Sequence, residues 1–311
     1  MPGREAFAAG LSDFSCPRCG ARGLWQLRER LHRRSNSLTT FATCGACGER
    51  AFLKLLPGGR EDAEDHAARE FEAARAAYRN FPSHPDFGVA APWHRAGRLL
   101  AFACVAGQSP ERILCRGALP DATSLARRMG HWFALFHGAC TPRVAPSSDS
   151  LPRRRQDLVE RWRSSSLPVA ATRALEALEA YDLPTGPQRH VWQHGDAKPD
   201  NFLFDGRSLV GLDVDGRHWN VPENDPAQRA MHTRLASWTP LAGIEASRVR
   251  QLCQALTSGY SAMAPLDEPA LEAYRWLYLL SFWAGRRGHG GLRRWSWDRV
   301  FSGLAATLGP P

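Results

Sequence analysis

An α+β fold of two lobes, a small β-rich N-terminal lobe and a larger, mainly helical C-terminal lobe, is predicted by three features of the sequence. Residues 11–60 carry two cysteine pairs, short strand-like runs and few helix formers. RLLAFACVAG (98–107) is an apolar run closed by glycine, the pattern of a buried strand and turn. From 225 onward the pattern is mainly helical, and seven of the eleven tryptophans follow residue 190. The 311 residues are 43% apolar and 23% charged, enough for a substantial core. The lobes are expected at 1–106 and 107–311.

Taken in order, LWQLRERL (24–31) and SLTTFAT (37–43) read as the strands of a long hairpin within 14–50, with HRRSN at its tip. Ala51 to Leu56 continues as a strand with one charged residue inside it. EDAEDHAAREFEAARAAYRN (61–80) reads as a helix with acids in its first turn, as the macrodipole prefers. In DATSLARRMGHWFALFHG (121–138), Leu125, Met129, Trp132 and Phe136 recur at helical spacing. Residues 141–155 are rich in Pro, Ser and Arg and read as a surface loop. Residues 189–216 alternate short apolar runs with turn signals, so loops flanked by strands are expected there.

The hairpin is bracketed by Cys16-Pro-Arg-Cys19-Gly and Cys44-Gly-Ala-Cys47-Gly. Two C-x-x-C knuckles, each followed by glycine, suit one tetrahedral Zn²⁺: the short loop lets both thiolates bite one ion, and glycine permits the tight turn. A disulfide pair or a thioredoxin-like redox site are the alternatives. Cys104, Cys115, Cys140 and Cys253 show no ligand spacing and are assigned to the core.

No stretch approaches eighteen uninterrupted apolar residues, so no membrane span is expected. MPGREAFAAG has no apolar signal core, and a cytoplasmic location is expected. The formal charge is +9, yet of 40 basic residues only Lys54 and Lys198 are lysines. The arginines are scattered among acids and alanines, so no dedicated nucleic-acid binding is expected. Lysine is a compact point charge and arginine a broad planar fork, so a chain that writes arginine elsewhere marks its two lysines as sites needing the former.

Lys198 falls in Trp192-Gln193-His194-Gly195-Asp196-Ala197-Lys198-Pro199-Asp200-Asn201, and twelve residues after Asn201 stands Asp213, in Gly211-Leu212-Asp213-Val214-Asp215-Gly216. Moving a γ-phosphoryl group needs a carboxylate to orient a hydroxyl and accept its proton, and oxygen ligands to hold magnesium against phosphates. Asp196 is the candidate base, Asn201 and Asp213 the candidate Mg²⁺ ligands, and Lys198 a charge steadying the transferred phosphate. At these residues the chain resembles the aminoglycoside phosphotransferase and choline kinase superfamily, relatives of protein kinases: HGDAKPDN matches HGDxxxxN, and Asp213 its magnesium-binding aspartate. His-Gly in place of His-Arg, without D-F-G or A-P-E, favours the small-molecule branch.

The resemblance implies a protein-kinase-like fold, ATP as phosphoryl donor, and a small-molecule hydroxyl acceptor. It places Lys54 as the strand lysine that grips the α- and β-phosphates and Glu70 as its helix partner. Ala67, Ala74 and Ala77 share the face of Glu70, whereas Glu72 sits with Ala68, Arg75 and Arg79 on a solvated one. The hairpin tip His32-Arg33-Arg34-Ser35-Asn36-Ser37 would cover the phosphates; it lacks the usual glycines, so the backbone of a Ser/Asn turn, with Ser35 and Ser37, would meet them. His137, in WFALFHG, is read as structural. Asn224-Asp225-Pro226-Ala227 resembles the segment beyond the metal site, with Arg229 near where the family often has an aspartate.

The acceptor is expected on 225–300, where Trp238, Trp276, Trp283, Trp295 and Trp297 stand beside the basic run Arg286-Arg287-Gly288-His289 and Arg293-Arg294. Few acids lie there to line a site for a polycationic aminoglycoside, which favours a sugar-like metabolite. A lipopolysaccharide-core or protein kinase on the same scaffold, suggested by Lys198 and Asp215, and a zinc-bearing adaptor without catalysis are the competing readings.

Overall fold

The computed structural model describes residues 2–28, 31–33, 37–57, 63–145, 156–157, 160, 169–180, 187–214, 219–237 and 246–287. The chain divides into two compact units, Met1–Gly107 with Leu203–Gly216, and Gln108–Phe202 with Arg217–Pro311.

The first unit is built on an antiparallel sheet in the order β1 (Trp25–Leu27), β3 (Leu38–Cys44), β4 (Arg50–Leu55), β7 (Leu99–Ala103), β6 (Pro92–Ala96), with β2 (His32–Arg33) paired to β3. The expected hairpin and the following strand are present, but its first arm is split into β1 and β2, and His32 and Arg33, expected at the tip, pair with Thr39 and Leu38 of β3. In register, Thr39 lies opposite Lys54, and Lys54 opposite Leu100. Alternation sorts the strand residues onto two faces. Ala51, Leu53, Leu55, Leu99 and Ala101 pack with Phe14, Trp25 and helix α1 (Pro2–Leu11), which contributes Phe7 and Leu11. Leu100 faces the other way, against Ala67 and Phe71 of helix α2 (Ala63–Asn80). Lys54 shares the parity of Leu100's partner position and is carried on that second face. Helix α1 has no counterpart in the sequence expectations: Phe7 is its one large apolar residue before Leu11, and its apolar face is defined by the sheet it covers.

A small second sheet, β10 (Phe202–Phe204), β11 (Leu209–Gly211) and β5 (Phe87–Val89), pairs β11 parallel to β5. It delivers the chain to Asp213, directly beyond β11.

The second unit begins with α3 (Glu111–Arg116) and α4 (Leu119–Gly138). The four residues at helical spacing on α4, Leu125, Met129, Trp132 and Phe136, are all buried. A three-stranded antiparallel sheet joins β8 (Arg143–Ala145), β9 (Gln188–Trp192) and β12 (Trp219–Asn220). Helices α5 (Val169–Ala180), α6 (Asn224–Ser237), α7 (Ala246–Ser261) and α8 (Glu268–Arg287) complete the described part. Among the described residues no helix is long and apolar enough to cross a membrane.

Helices α4 and α7 cross with their backbones nearly touching. A Cβ on Gly130 would lie 2.1 Å from the Leu256 carbonyl oxygen, and one on Gly259 2.1 Å from that of Arg127. Backbone on both sides leaves no side chain free to yield, so this crossing needs glycine on each helix. Gly259→Ala is expected to destabilise the protein by about 2 kcal/mol, the usual scale of overpacking, with the same outcome for Gly130→Ala. Denaturant unfolding of the two variants checks it.

Candidate functional site

In the first unit, Lys54 is 8% exposed. Burying an ammonium in a sheet face is tolerable only with compensating anions, and two are supplied. Nζ donates to Glu70 Oε1 at 2.7 Å and to Asp213 Oδ1 at 2.5 Å. Glu70 comes from the buried-alanine face of α2, whereas Glu72 lies in solvent paired with Arg75. Asp213 is the one non-glycine residue among those described with φ in the left-handed region, at 55°. That conformation, uncommon without a short polar side chain, turns its carboxylate back toward Lys54. Burial opposes the charge on Lys54, but Asp213 and Glu70 outweigh it and raise its pKa. Glu70 is pushed up to about 7 by burial, with Lys54 opposing and Asp213 adding to the rise. Two carboxylates thus share one ammonium, and the Asp213 side chain stays 40% exposed.

In the second unit, β9 ends at Trp192 and the chain turns through Gly195, at φ 82°. Asp196 follows, with Lys198 Nζ donating to its Oδ2 at 2.5 Å and Asn201 Nδ2 donating to the same oxygen at 3.0 Å. Asn201 Nδ2 also donates to the Asp196 carbonyl at 2.8 Å, which fixes the amide in a short 3-10 turn, Pro199–Asn201. The amide nitrogen is spent on Asp196, so the Asn201 carbonyl oxygen, the end able to ligate a cation, faces away from it.

The loop is held from beneath by Asp225, fully buried at the start of α6. Its carboxylate accepts the amides of His194 at 2.6 Å and Gly195 at 3.2 Å, together with His137 Nε2 at 3.1 Å. A carboxylate only accepts, so Nε2 carries a proton, and Nδ1 shares a hydrogen bond with the Tyr260 hydroxyl at 2.9 Å. Burial works against the Asp225 charge, but the bond from His137 and the amide of His194 hold its pKa below the usual carboxylate range. One turn on, Gln228 Oε1 accepts the amide of Ala197 at 2.8 Å. The residue before the loop joins this frame: Gln193 Nε2 donates to the carbonyls of Asn220 and Val221, and its Oε1 accepts from Asn224. Around the frame, Trp132 packs edge-on against Phe202 and His194, and His194 stacks on Phe202.

His137 is therefore structural, as its sequence suggests. The supporting role of Asp225 was missed, although its motif was noticed: no local signal shows that this acid faces residues 31 positions earlier. Arg229 is 1% exposed and makes no hydrogen bond through its guanidinium among the described residues. Burial pushes it down to about 10. It does not touch the loop amides, which Asp225 and Gln228 already satisfy.

The four cysteines of the two knuckles converge, all four Sγ atoms lying within 4.8 Å of one another. Cys16 and Cys47 are 3.6 Å apart, Cys19 and Cys44 3.7 Å; four ligands about 2.3 Å from one zinc stand about 3.8 Å apart. The knuckles repeat each other: Gly20 N donates to Cys16 O and Gly48 N to Cys44 O, both at 2.9 Å, with the glycines at φ 74° and 76°. The thiols respond to crowding. Cys44 is pulled down to about 7, burial being outweighed by the Cys47 and Ala46 amides. Cys47 is pushed up to about 12, the pull of the Glu49 amide being overcome by burial and the neighbouring sulfurs. A four-sulfur donor set converging in this way is compatible with one Zn²⁺.

Ser37 is described and buried at the start of β3, while Ser35 lies outside the described residues, as do Asp215, Trp238, Trp295, Trp297, His289 and Arg293–Arg294. Trp276 and Trp283 of α8 are 4% and 2% exposed and belong to the packing. Arg286 and Arg287 close the same helix.

A family model described as the phosphotransferase enzyme family matches residues 27–212. Among curated proteins none matches the chain. Solved structures of similar fold include the macrolide 2'-phosphotransferase of Brachybacterium faecium, 20% identical, covering 100% of this chain and 99% of that one with a TM-score of 0.60. A choline/ethanolamine kinase family protein of Mesorhizobium loti is 20% identical over 100% of this chain and 96% of that one, TM-score 0.55. An amicoumacin kinase in complex with AMP-PNP, Ca²⁺ and Ami is 13% identical over 98% of this chain and 93% of that one, TM-score 0.61. These likenesses establish the α+β, protein-kinase-like fold.

Asp225→Asn keeps shape but removes the charge that three donors meet, and is expected to cost about 3 kcal/mol near neutral pH. Because the folded pKa is depressed, the wild-type advantage is full above the unfolded carboxylate value and is lost as pH falls through the folded one. Paired urea titrations should give a constant difference between pH 6 and 8 that shrinks below about pH 4.

Proposed function

The chain belongs to the phosphotransferase enzyme family and is a kinase, and from that premise we propose that it transfers the γ-phosphoryl group of ATP to a hydroxyl of a small, sugar-like molecule. The observation that carries this reading is the Asp196 carboxylate, one oxygen locked by Lys198 and Asn201 and the other left to take a proton. In this reading Asp196 orients the acceptor hydroxyl and removes its proton as the hydroxyl oxygen attacks the γ-phosphorus, and ADP departs. Lys198 lies beside the transferred group, exchanging part of its contact with Asp196 for a phosphate oxygen. Lys54, kept in place by Glu70, binds the α- and β-phosphates.

Asp213 and Asn201 fit Mg²⁺ in donor chemistry. Both offer hard oxygen atoms, and the Asn201 amide is already turned to present its oxygen. When bound, the ion neutralises charge on the phosphate oxygens. The four cysteines are assigned to one structural Zn²⁺, on the chemistry of a four-thiolate donor set. Ser37 and the tip that includes Ser35 are assigned to the phosphates. The small-molecule acceptor is favoured because the similar solved structures are a macrolide 2'-phosphotransferase, an amicoumacin kinase and a choline/ethanolamine kinase family protein. The complete set of Lys54, Glu70, Asp196, Asn201 and Asp213 opposes the adaptor reading, since a retired site has no chemical reason to keep all five.

Asp196→Asn preserves the bonding pattern at Oδ2 but removes the base. Phosphoryl transfer to a panel of hydroxylated acceptors, followed as ADP release, is expected to fall by about two to four orders of magnitude, with nucleotide binding retained. Wild-type turnover in this variant would refute the assignment.

A further inference from the structure

The zinc site and the nucleotide lysine lie on the same pair of strands. Cys44 is the last residue of β3, Cys47 sits in the turn that follows, and β4 then runs from Arg50 to Leu55 with Lys54 near its far end. Every pairing of this hairpin, from Thr43 opposite Arg50 to Leu38 opposite Leu55, is counted from that turn. The turn itself, Gly45 to Glu49, is closed by Cys44 N on the Glu49 carbonyl at 2.8 Å and Gly48 N on the Cys44 carbonyl at 2.9 Å, with Gly48 at φ 76°, so the knuckle that would hold the ion is also the turn that sets the register.

Register matters here because β4 carries opposite chemistry on its two faces. Leu53 and Leu55 face the apolar layer of Phe7, Leu11 and Trp25, whereas Lys54 faces Glu70 and Asp213. A slip of one residue exchanges the faces, driving the ammonium into the apolar layer and a leucine against the carboxylates. The first knuckle supplies the fixed reference for that register. Cys16 and Cys19 are tied to the sheet by the Gly23 amide on the Phe14 carbonyl at 3.2 Å, by Trp25 Nε1 on the same carbonyl at 3.1 Å, and by the stacked rings of Phe14 and Trp25 at 4.5 Å. An ion shared by all four sulfurs bolts the turn to this reference.

We propose that the four-cysteine centre is a zinc site thermodynamically coupled to nucleotide binding: Zn²⁺ clamps the β3–β4 register that presents Lys54 to Glu70 and Asp213, and nucleotide held by Lys54 tightens the zinc in return. The proposal rests on the reading of Lys54 as the phosphate-binding lysine. Coupling between two sites is reciprocal, so each ligand changes the affinity for the other by one common factor.

That reciprocity gives a test in the folded, zinc-loaded full chain. Zinc is counted by elemental analysis, and its affinity is then measured by competition with a chromophoric chelator, with and without saturating Mg-ADP. The expected result is one zinc per chain, bound on the order of tenfold more tightly with nucleotide present. Nucleotide affinity should fall by the same factor in zinc-stripped protein that keeps its far-ultraviolet dichroism. Lys54→Met should keep its zinc and lose the nucleotide effect, which also separates true coupling from extraction of zinc by free nucleotide. Zinc bound with an affinity indifferent to a nucleotide that does bind would overturn the coupling. Absence of zinc would overturn the metal site. Failure of the loaded wild type to bind nucleotide would overturn the coupling through the kinase reading on which it stands.

Discussion

A single buried ammonium organises the first unit. Lys54 can sit inside a sheet face only because Glu70 and Asp213 meet it there, and each arrives by a different route: one on a helix whose alanine face packs inward, the other beyond a short parallel strand pair. Removing either acid leaves a buried charge short of compensation, a larger penalty than the bridge is worth as a net attraction. The strand, the helix and the 209–214 segment are therefore constrained together by electrostatics as much as by apolar packing. The raised pKa of Glu70, about 7, follows first from its burial, with the second acid on the same cation adding to the rise.

The second unit solves the opposite problem. The loop that carries Asp196 turns through a left-handed glycine, and its amides need partners. Asp225 supplies them for His194 and Gly195, and is itself kept charged by His137, whose ring is set by Tyr260. The chain of contacts ends on the α4–α7 crossing, where two glycines let the helices approach closely enough for His137 to reach Tyr260. Loop geometry thus depends on a helix packing that carries no chemistry of its own.

Much of this was legible in the sequence because it is written locally. The C-x-x-C-G knuckles specify both the thiolates and the left-handed glycines; the inward face of Glu70 follows from neighbouring alanines; the core face of α4 follows from its spacing; and Lys54 and Lys198 stand out in a chain that otherwise writes arginine. What escaped notice is non-local. Helix α1 is short, and the sheet defines its buried face. Asp225 meets its partners across 31 and 88 positions, and reciprocal glycines on α4 and α7 leave no pattern in either helix alone. Arg229, whose guanidinium is buried without a hydrogen-bond partner among the described residues, breaks the rule that would have predicted an exposed or paired side chain.

The central claim is that Lys54 and Asp213 belong to a working magnesium-nucleotide site. A thermal-shift titration with ATP and Mg²⁺ on the wild type beside Lys54→Ala and Asp213→Ala tests it most directly. The account predicts a magnesium-dependent rise in Tm for the wild type that is lost in both variants. No shift at millimolar nucleotide, or an equal shift in all three proteins, would contradict it.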